Sequence, residues 1–354
     1  MSDLSARLDG WADGEAAALV LEQPLRPVIG SLVFPPTFAP ARRGEPSDYV
    51  LDEIEGSGVV TLDTPGSQAN RLEPLFMAEP LSALVPQIII KAGNEQKNLL
   101  ELGHRVADAL ARSTDANSRI REAFEQALVG DHSALAGFAP TSLVFGAWDS
   151  RDTGAKLPRL LESRIDAYGV VKRNRAAQYF AAFDFVETGL LDVSTNKKEL
   201  DQRSQAGFRD SPSGHQPGGV ELAEDGRIVR AVSVHLSAIS RLGAGKDAAR
   251  GADLRRYILG LALAAATSPL PLFLRQGCHL VPKQAASWRA VSFDGSEHTV
   301  ALPHDEMIAY TRAARDRLFP GRKPGETWTA TKAMAQAEVR KRGKGEDDAG
   351  AAAS

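Results

Sequence analysis

The chain has 354 residues and a single cysteine, Cys278, so no intrachain disulfide can form and a disulfide-stapled secreted fold is excluded. Hydrophobic residues make up 43% and charged residues 25%, a balance that supports a packed core and excludes a disordered or fibrous chain. Net charge is −3, but residues 1–66 carry 4 basic and 11 acidic side chains whereas Arg151 to Phe183 carry 7 basic and 3 acidic, so a locally basic face can still meet a polyanion.

Residues 1–24 form an acidic segment without the basic start and apolar run of a signal peptide, and the expectation is a cytoplasmic protein. The first strand signal is Val59–Asp63, after which Pro65-Gly66 turns the chain into a helix expected over Ser67–Met77. "QIIIK", Gln87–Lys91, reads as a strand, and Asn98–Arg112 as a helix with Leu99, Leu102, Val106 and Leu110 on its core face. Glu101, His104, Arg105, Asp108 and Arg112 fall on the opposite, solvent face of that helix. A helix over Ala116–Val129, a strand over Ser142–Trp148 and a helix over Leu157–Tyr168 follow. On the last of these Lys156 and Arg159 are neighbours, three residues apart.

Strands are then expected over Val170–Phe183 and Arg227–Ile239, and helices over Asp253–Thr267 and His304–Phe319. Between the strands, "GFRDSPSGHQPGG" (Gly207 to Gly219) reads as a long flexible projection. The apolar run "ILGLALAAA", Ile258 to Ala266, is far shorter than the ~18 residues a membrane helix needs. From about Lys332 the chain is alanine, glycine and charge, and disorder is expected past Gly343. Strands and helices alternate, which predicts a sheet with helices packed on it.

Catalytic signatures fail one by one. "GSGVVT" precedes its strand and lacks a third glycine, and in "SRLGAGKDA" Asp247 stands where a phosphate loop needs Ser or Thr. No HExxH, CxxC pair or GxSxG is present, the seven histidines are scattered, and Cys278 lies in an apolar setting, so no metal or cofactor is expected.

Two segments instead offer anion-binding chemistry. At the opening of the first helix stand Ser67, Gln68, Asn70 and Arg71, with Gly66 allowing a phosphate to approach unpaired backbone N–H groups. Arg151, Lys156 and Arg159 follow the Trp148 strand, and Lys172, Arg173 and Arg175 open the next one. Two strand–turn–helix units with hydroxyls, amides and guanidiniums at comparable places suit a track of successive phosphates.

"SQANRLE", "GHRVADA", "SLVFGAWDS", "KLPRLLESRIDAYGV" and "FLRQGCHLVP", in this order and spacing, resemble the RAMP-superfamily backbone subunit of type I-G (formerly I-U) Cascade effector complexes. The resemblance runs over roughly residues 25–320. It implies an α+β fold with an RRM-like (ferredoxin-like) core over residues 25–330, enlarged by insertions into a hand-like palm and thumb. It implies copies lined along a CRISPR RNA that pairs with target DNA, together with other Cascade subunits, and no catalysis. Guide-backbone contacts then fall on Ser67, Gln68, Asn70 and Arg71, with His104, Arg105, Lys156 and Arg159 as further contacts. The thumb falls at about 184–219, with Lys197, Lys198, Arg203 and Arg209.

Two other readings stand beside it. A RAMP-type endoribonuclease would process the guide by metal-independent histidine chemistry, for which His215 in its glycine-rich segment is the candidate. A small-molecule enzyme would need an apolar pocket with a perturbed acid–base pair. Relatives that cut target RNA use an acidic loop residue; Asp149 and Asp152 in "WDSRDTG" occupy such a loop, though turn formation accounts for both.

Overall fold

The computed structural model describes residues 3–39, 47–321 and 325–340. Helix α1 (Asp3–Ala12) leads into strand β1 (Ala18–Pro27), then β2 (Ser57–Asp63), α2 (Pro65–Leu72) and β3 (Gln87–Ala92). After α3 (Asn117–Leu128) come two long strands, β4 (Leu161–Tyr179) and β5 (Ser211–Val234), with α4 (Lys197–Gln205) between them. Then follow α5 (Ala248–Thr267), β6 (Cys278–Pro282), β7 (Trp288–Val291), α6 (His304–Leu318) and β8 (Gly325–Thr329).

The architecture is α+β. A ten-stranded sheet carries the antiparallel order β6–β1–β5–β4–β2, with β7 also on β1. A second sheet pairs β8 parallel to β3. Along one face of the large sheet, β1 directs Leu19 and Leu21 into a core that contains α5, while Leu25 enters a separate core with Leu62 and Leu280. The apolar run of α5 is the centre of the larger core, buried without a break from Tyr257 to Ala266. No helix of the described residues is long and apolar enough to cross a membrane.

Several expectations meet the structure directly. The helices around residues 117–128, 248–267 and 304–318 and the strands at 57–63 and 87–92 form as read. Residues 157–168, read as a helix, are instead the short strand Lys156–Leu157 and the start of β4. Leu161, Ser163, Ile165 and Ala167 alternate inward in β4, and Arg164 pairs with Asp166 at 3.0 Å, a partnership two residues apart that a strand face allows. Sandwiched between β2 and β5, this segment follows its partners over its own helical spacing.

Ser142–Trp148, read as a strand, is one only at Ala147–Trp148; before it lies a fully buried helix over Pro140–Phe145, ended at Gly146 (φ 78°). A short apolar run buried on all sides carries no period to tell helix from strand. Asn98–Arg112 is not one helix either. Two 3₁₀ turns, Leu99–Glu101 and Arg105–Ala107, break at Arg105 (φ 55°) before the short helix Ala109–Arg112. Arg105 and Arg112, expected on a solvent face, are buried.

The acidic start is anchored to the core. Asp9 and Asp13 pair with Arg255 and Arg256 of α5, and Asp9 accepts a hydrogen bond from Tyr310. The boundary drawn at residue 24 falls inside β1. Strand β5 begins at Ser211, so much of the segment read as a flexible projection is strand, and β5 gives way at Leu236–Ile239 to a helical turn. Beyond Val171 and Gly218 the two long strands leave the body as a ribbon. At its base Gly226 lies so close to Gly169 that a Cβ there would sit 2.8 Å from the Gly169 carbonyl oxygen. Of the alanine-rich tail, 332–340 are helical, and the expectation of disorder past Gly343 falls outside the described residues.

Candidate nucleic-acid interface

The opening of α2 shows why its polar residues are there. Thr64 caps the helix, accepting from the Ser67 N–H at 3.2 Å, so the helix begins at Pro65 and Ser67 is freed from capping. The Ser67 hydroxyl donates to the Asp63 carboxylate at 2.7 Å, the Gln68 amide at 2.6 Å and Arg71 Nε at 3.0 Å. Asp63 is wholly buried at the end of β2, and a buried carboxylate needs this many donors. Gln68 is buried too, and accepts from Ser163 on β4 at 2.8 Å, while Arg71 also donates to the Leu274 carbonyl at 2.8 Å. Three of the four residues expected on the guide thus serve a buried network first.

Asn70, the fourth, is exposed and faces a cleft of about 520 Å³. Into this cleft the fold also brings His104, Arg105, Arg151, Lys156 and Arg159, which the sequence scatters over 90 positions between 70 and 159. Gly66 at the start of α2 completes one wall. Gly146 is required here: its φ of 78° is left-handed, and an added Cβ would meet the Leu157 carbonyl oxygen at 3.0 Å and Arg159 at 3.1 Å.

The electrostatics of the cleft are uneven. Arg105 lies at its floor, paired with buried Glu73 at 2.7 Å, with one guanidinium nitrogen directed at the Gly146 carbonyl at 3.3 Å. Burial pushes the Glu73 carboxyl up to about 7 in spite of Arg105 and a hydrogen bond from Thr141. Burial lowers the Arg105 pKa, and the nearby positive charge of Arg159 lowers it further. Arg151, Lys156 and Arg159 are exposed, and among the described residues none pairs with a carboxylate. Lys156 lies 5.6 Å from the centre of the Trp148 ring, whose residue is 60% exposed.

Trp148 and Glu73 were not singled out from sequence. A tryptophan at the mouth of the polar loop "DSRDTG" was the available signal for the first, whereas Glu73 is joined to Arg105 across 32 residues and leaves no local pattern. Lys156 and Arg159 reach the same cleft from the short strand and turn before β4, not from a helix.

The remaining candidates lie elsewhere. On the ribbon, Lys172 pairs with Asp48, Arg173 with Glu221 (Nε to carboxylate 2.6 Å), and Arg175 stands 5.8 Å from the Phe34 ring. At its far end Lys197, Lys198 and Arg209 are exposed, while Arg203 is held by Glu199 and by the Asp192 carbonyl at 2.7 Å. The ends close through a small aromatic group, with Phe185 4.4 Å from Phe183 and 5.0 Å from Phe208 between ring centres. Asp149 and Asp152 are both engaged with buried Arg112, and Asp149 also accepts from the Thr153 N–H at 3.1 Å and hydroxyl at 2.8 Å. They hold the loop that frames the cleft. Cys278 is buried and burial pushes its thiol up to about 11, so it is no nucleophile at neutral pH. Side-chain facts for His215 lie outside what the structure describes.

An exposed indole flanked by unpaired cations, over a floor that a proton on Glu73 makes more positive, can hold a phosphate chain and stack one base. Residues 19–172 match the family described as CRISPR-associated protein GSU0053, a span that contains every residue of this cleft. The match makes that region similar to a family associated with CRISPR defence. No curated protein matches the chain.

Proposed function

We propose that this chain is a CRISPR-associated, non-catalytic RNA-binding backbone subunit of an effector complex of the type I-G Cascade kind. Copies line a CRISPR RNA, hold it by its phosphates and present it for pairing with target DNA beside the other Cascade subunits, in the cytoplasm. The observation that carries the reading is the cleft, where Arg151, Lys156 and Arg159 stand without carboxylate partners beside exposed Trp148. Contacts of that composition are indifferent to sequence, as a subunit that must accept any guide requires.

Two features of the fold support it. The strand order β6–β1–β5–β4 reads 4-1-3-2 in chain order, with helical segments between β1 and β4 and α5 after β5, an order compatible with the βαββαβ arrangement proposed for an RRM-like core. The β4–β5 ribbon, with exposed Lys197, Lys198 and Arg209 in the segment at its tip, supports the proposal of a thumb.

A second reading, metal-independent RNA cleavage, draws on one observation: exposed His104 shares the cleft with Arg105 and Lys156. The test is to co-express the protein with a CRISPR array, purify it and sequence the RNA that travels with it. Guide-length RNA in a large assembly, still recovered with His104→Ala, supports the backbone role. A small protein free of RNA under both conditions contradicts it, and precursor accumulating only with His104→Ala favours cleavage.

A further inference from the structure

The polar network begun at Asp63 does not end at Ser163. Arg230 on β5 donates from Nε to the Ser163 hydroxyl at 3.2 Å, so hydrogen bonds run from Arg230 through Ser163 and Gln68 to Asp63. Arg275 adds its guanidinium 3.7 Å from Asp63, beside Arg71. The layer therefore holds three guanidiniums (Arg71, Arg230 and Arg275) against the one carboxylate of Asp63, a surplus of two positive charges.

Arg230 is the exposed nerve of this layer in chemical terms though not in area. It is only 4% exposed, no carboxylate pairs with it among the described residues, and one terminal nitrogen has no hydrogen-bond partner. A buried cation without a counter-charge is costly, and burial alone draws this guanidinium down to about 10. The negative end of α5, at Thr267 and Ser268, offsets part of that cost, but its hydroxyls donate back to the Leu263 and Ala264 carbonyls and not to a ligand.

Arg230 lines a cleft of about 810 Å³ on the opposite flank of the sheet from α2 along the network. Arg230 is the only charged residue among those lining it; Gln23, directly across on β1, adds an amide, and Trp288, Leu270 and Leu272 form apolar wall. Pro303, just before α6, also lines it, and no side chain caps the start of that 15-residue helix.

We propose that this cleft binds a mononucleotide-sized organic phosphomonoester, with its phosphate on Arg230 and its flat apolar body along the Trp288 wall. A guanidinium takes two phosphate oxygens side by side, and a monoester carries about −1.5 to −2 at neutral pH, which answers the surplus charge of the layer. A site of this volume with one buried cation and mostly apolar walls matches small-molecule recognition. It is separate from the guide-binding cleft and does not depend on that reading.

The test is thermal unfolding of the full chain with adenosine 5′-monophosphate as probe, against adenosine, inorganic phosphate and sodium chloride of equal ionic strength. The expected result is a saturable rise of about 2 °C at ten times Kd, larger than that from inorganic phosphate and absent with adenosine or chloride. Arg230→Gln abolishes it, Ser287→Trp at the exposed rim abolishes it by filling the cleft, and Lys156→Ala/Arg159→Ala retains it. A shift no larger than with chloride, equal with adenosine or inorganic phosphate, or lost only in the Lys156/Arg159 variant overturns the proposal. Should Arg230→Gln fail to fold by circular dichroism, a full shift in Ser287→Trp overturns it.

Discussion

The Gln68 side chain joins two strands, donating to Asp63 on β2 at 2.6 Å and accepting from Ser163 on β4 at 2.8 Å. Asp63 is the anchor of this arrangement, with four side chains turned toward it. Asp63→Ala leaves the Ser67 hydroxyl, the Gln68 amide and Arg71 Nε without their acceptor and the Arg71 and Arg275 guanidiniums without a counter-charge, and we expect a loss of about 3 kcal/mol of stability in urea denaturation. Gln68→Leu, which strands fewer groups, should cost roughly 1–3 kcal/mol. A change below about 0.5 kcal/mol for Asp63→Ala, the scatter of ordinary surface substitutions, would show that the network does not hold the sheet together.

Glu73 predicts a pH dependence. Burial raises its carboxyl to about 7 from an ordinary value of 4.5, so the stability it confers is complete below about 4.5 and is lost as pH rises through 7. The same proton changes the cleft: with Glu73 protonated, Arg105 loses its counter-charge, and affinity for single-stranded RNA should rise as pH falls from 8 to 6. Because His104 shares the cleft, the comparison belongs in a His104→Ala background. Glu73→Gln in that background should flatten both profiles; profiles that keep their slope would assign the dependence to another group.

Trp148 should act as a stacking platform. Trp148→Ala is expected to weaken RNA binding by about 1–3 kcal/mol whatever the base composition, and Trp148→Phe to restore most of it. Because the ring is 60% exposed, thermal stability should hardly change. A loss confined to one base would point to sequence readout.

The ribbon tip closes on itself where the Ala181 N–H donates to Asp210 at 2.8 Å. Replacing residues 182–209 by Asn-Gly should therefore leave the melting temperature of the body intact while abolishing large RNA-bound assemblies in sizing chromatography. Assemblies of undiminished size would remove the thumb from the account.

What the sequence made legible follows the range of the interactions. Helices α3, α5 and α6 announce themselves because their apolar period is local, as does β2 with its turn at Pro65-Gly66. Strand β4 misleads because Leu157, Leu160, Leu161 and Ile165 keep a helical step that its neighbours on both sides override. The cleft residues were recognisable by type, since Asn70, His104, Arg151, Lys156 and Arg159 all face it. The turn of Ser67, Gln68 and Arg71 toward Asp63 was hidden, because a carboxylate at a strand end reads as a turn residue until its burial is seen. Its further partners, Ser163 and Arg230, lie 95 and 67 residues along the network's successive steps, beyond any local pattern.

The most direct measurement is fluorescence anisotropy of a labelled single-stranded RNA against salt, for the wild-type protein and for Lys156→Ala/Arg159→Ala. If the cleft holds the phosphate chain, the double variant binds every RNA sequence more weakly by a similar factor. Its plot of log affinity against log salt loses a slope of about 0.7 per lost phosphate contact, roughly 1.4 in all. Binding and slope equal to those of the wild-type protein would place the RNA on another surface and contradict the account.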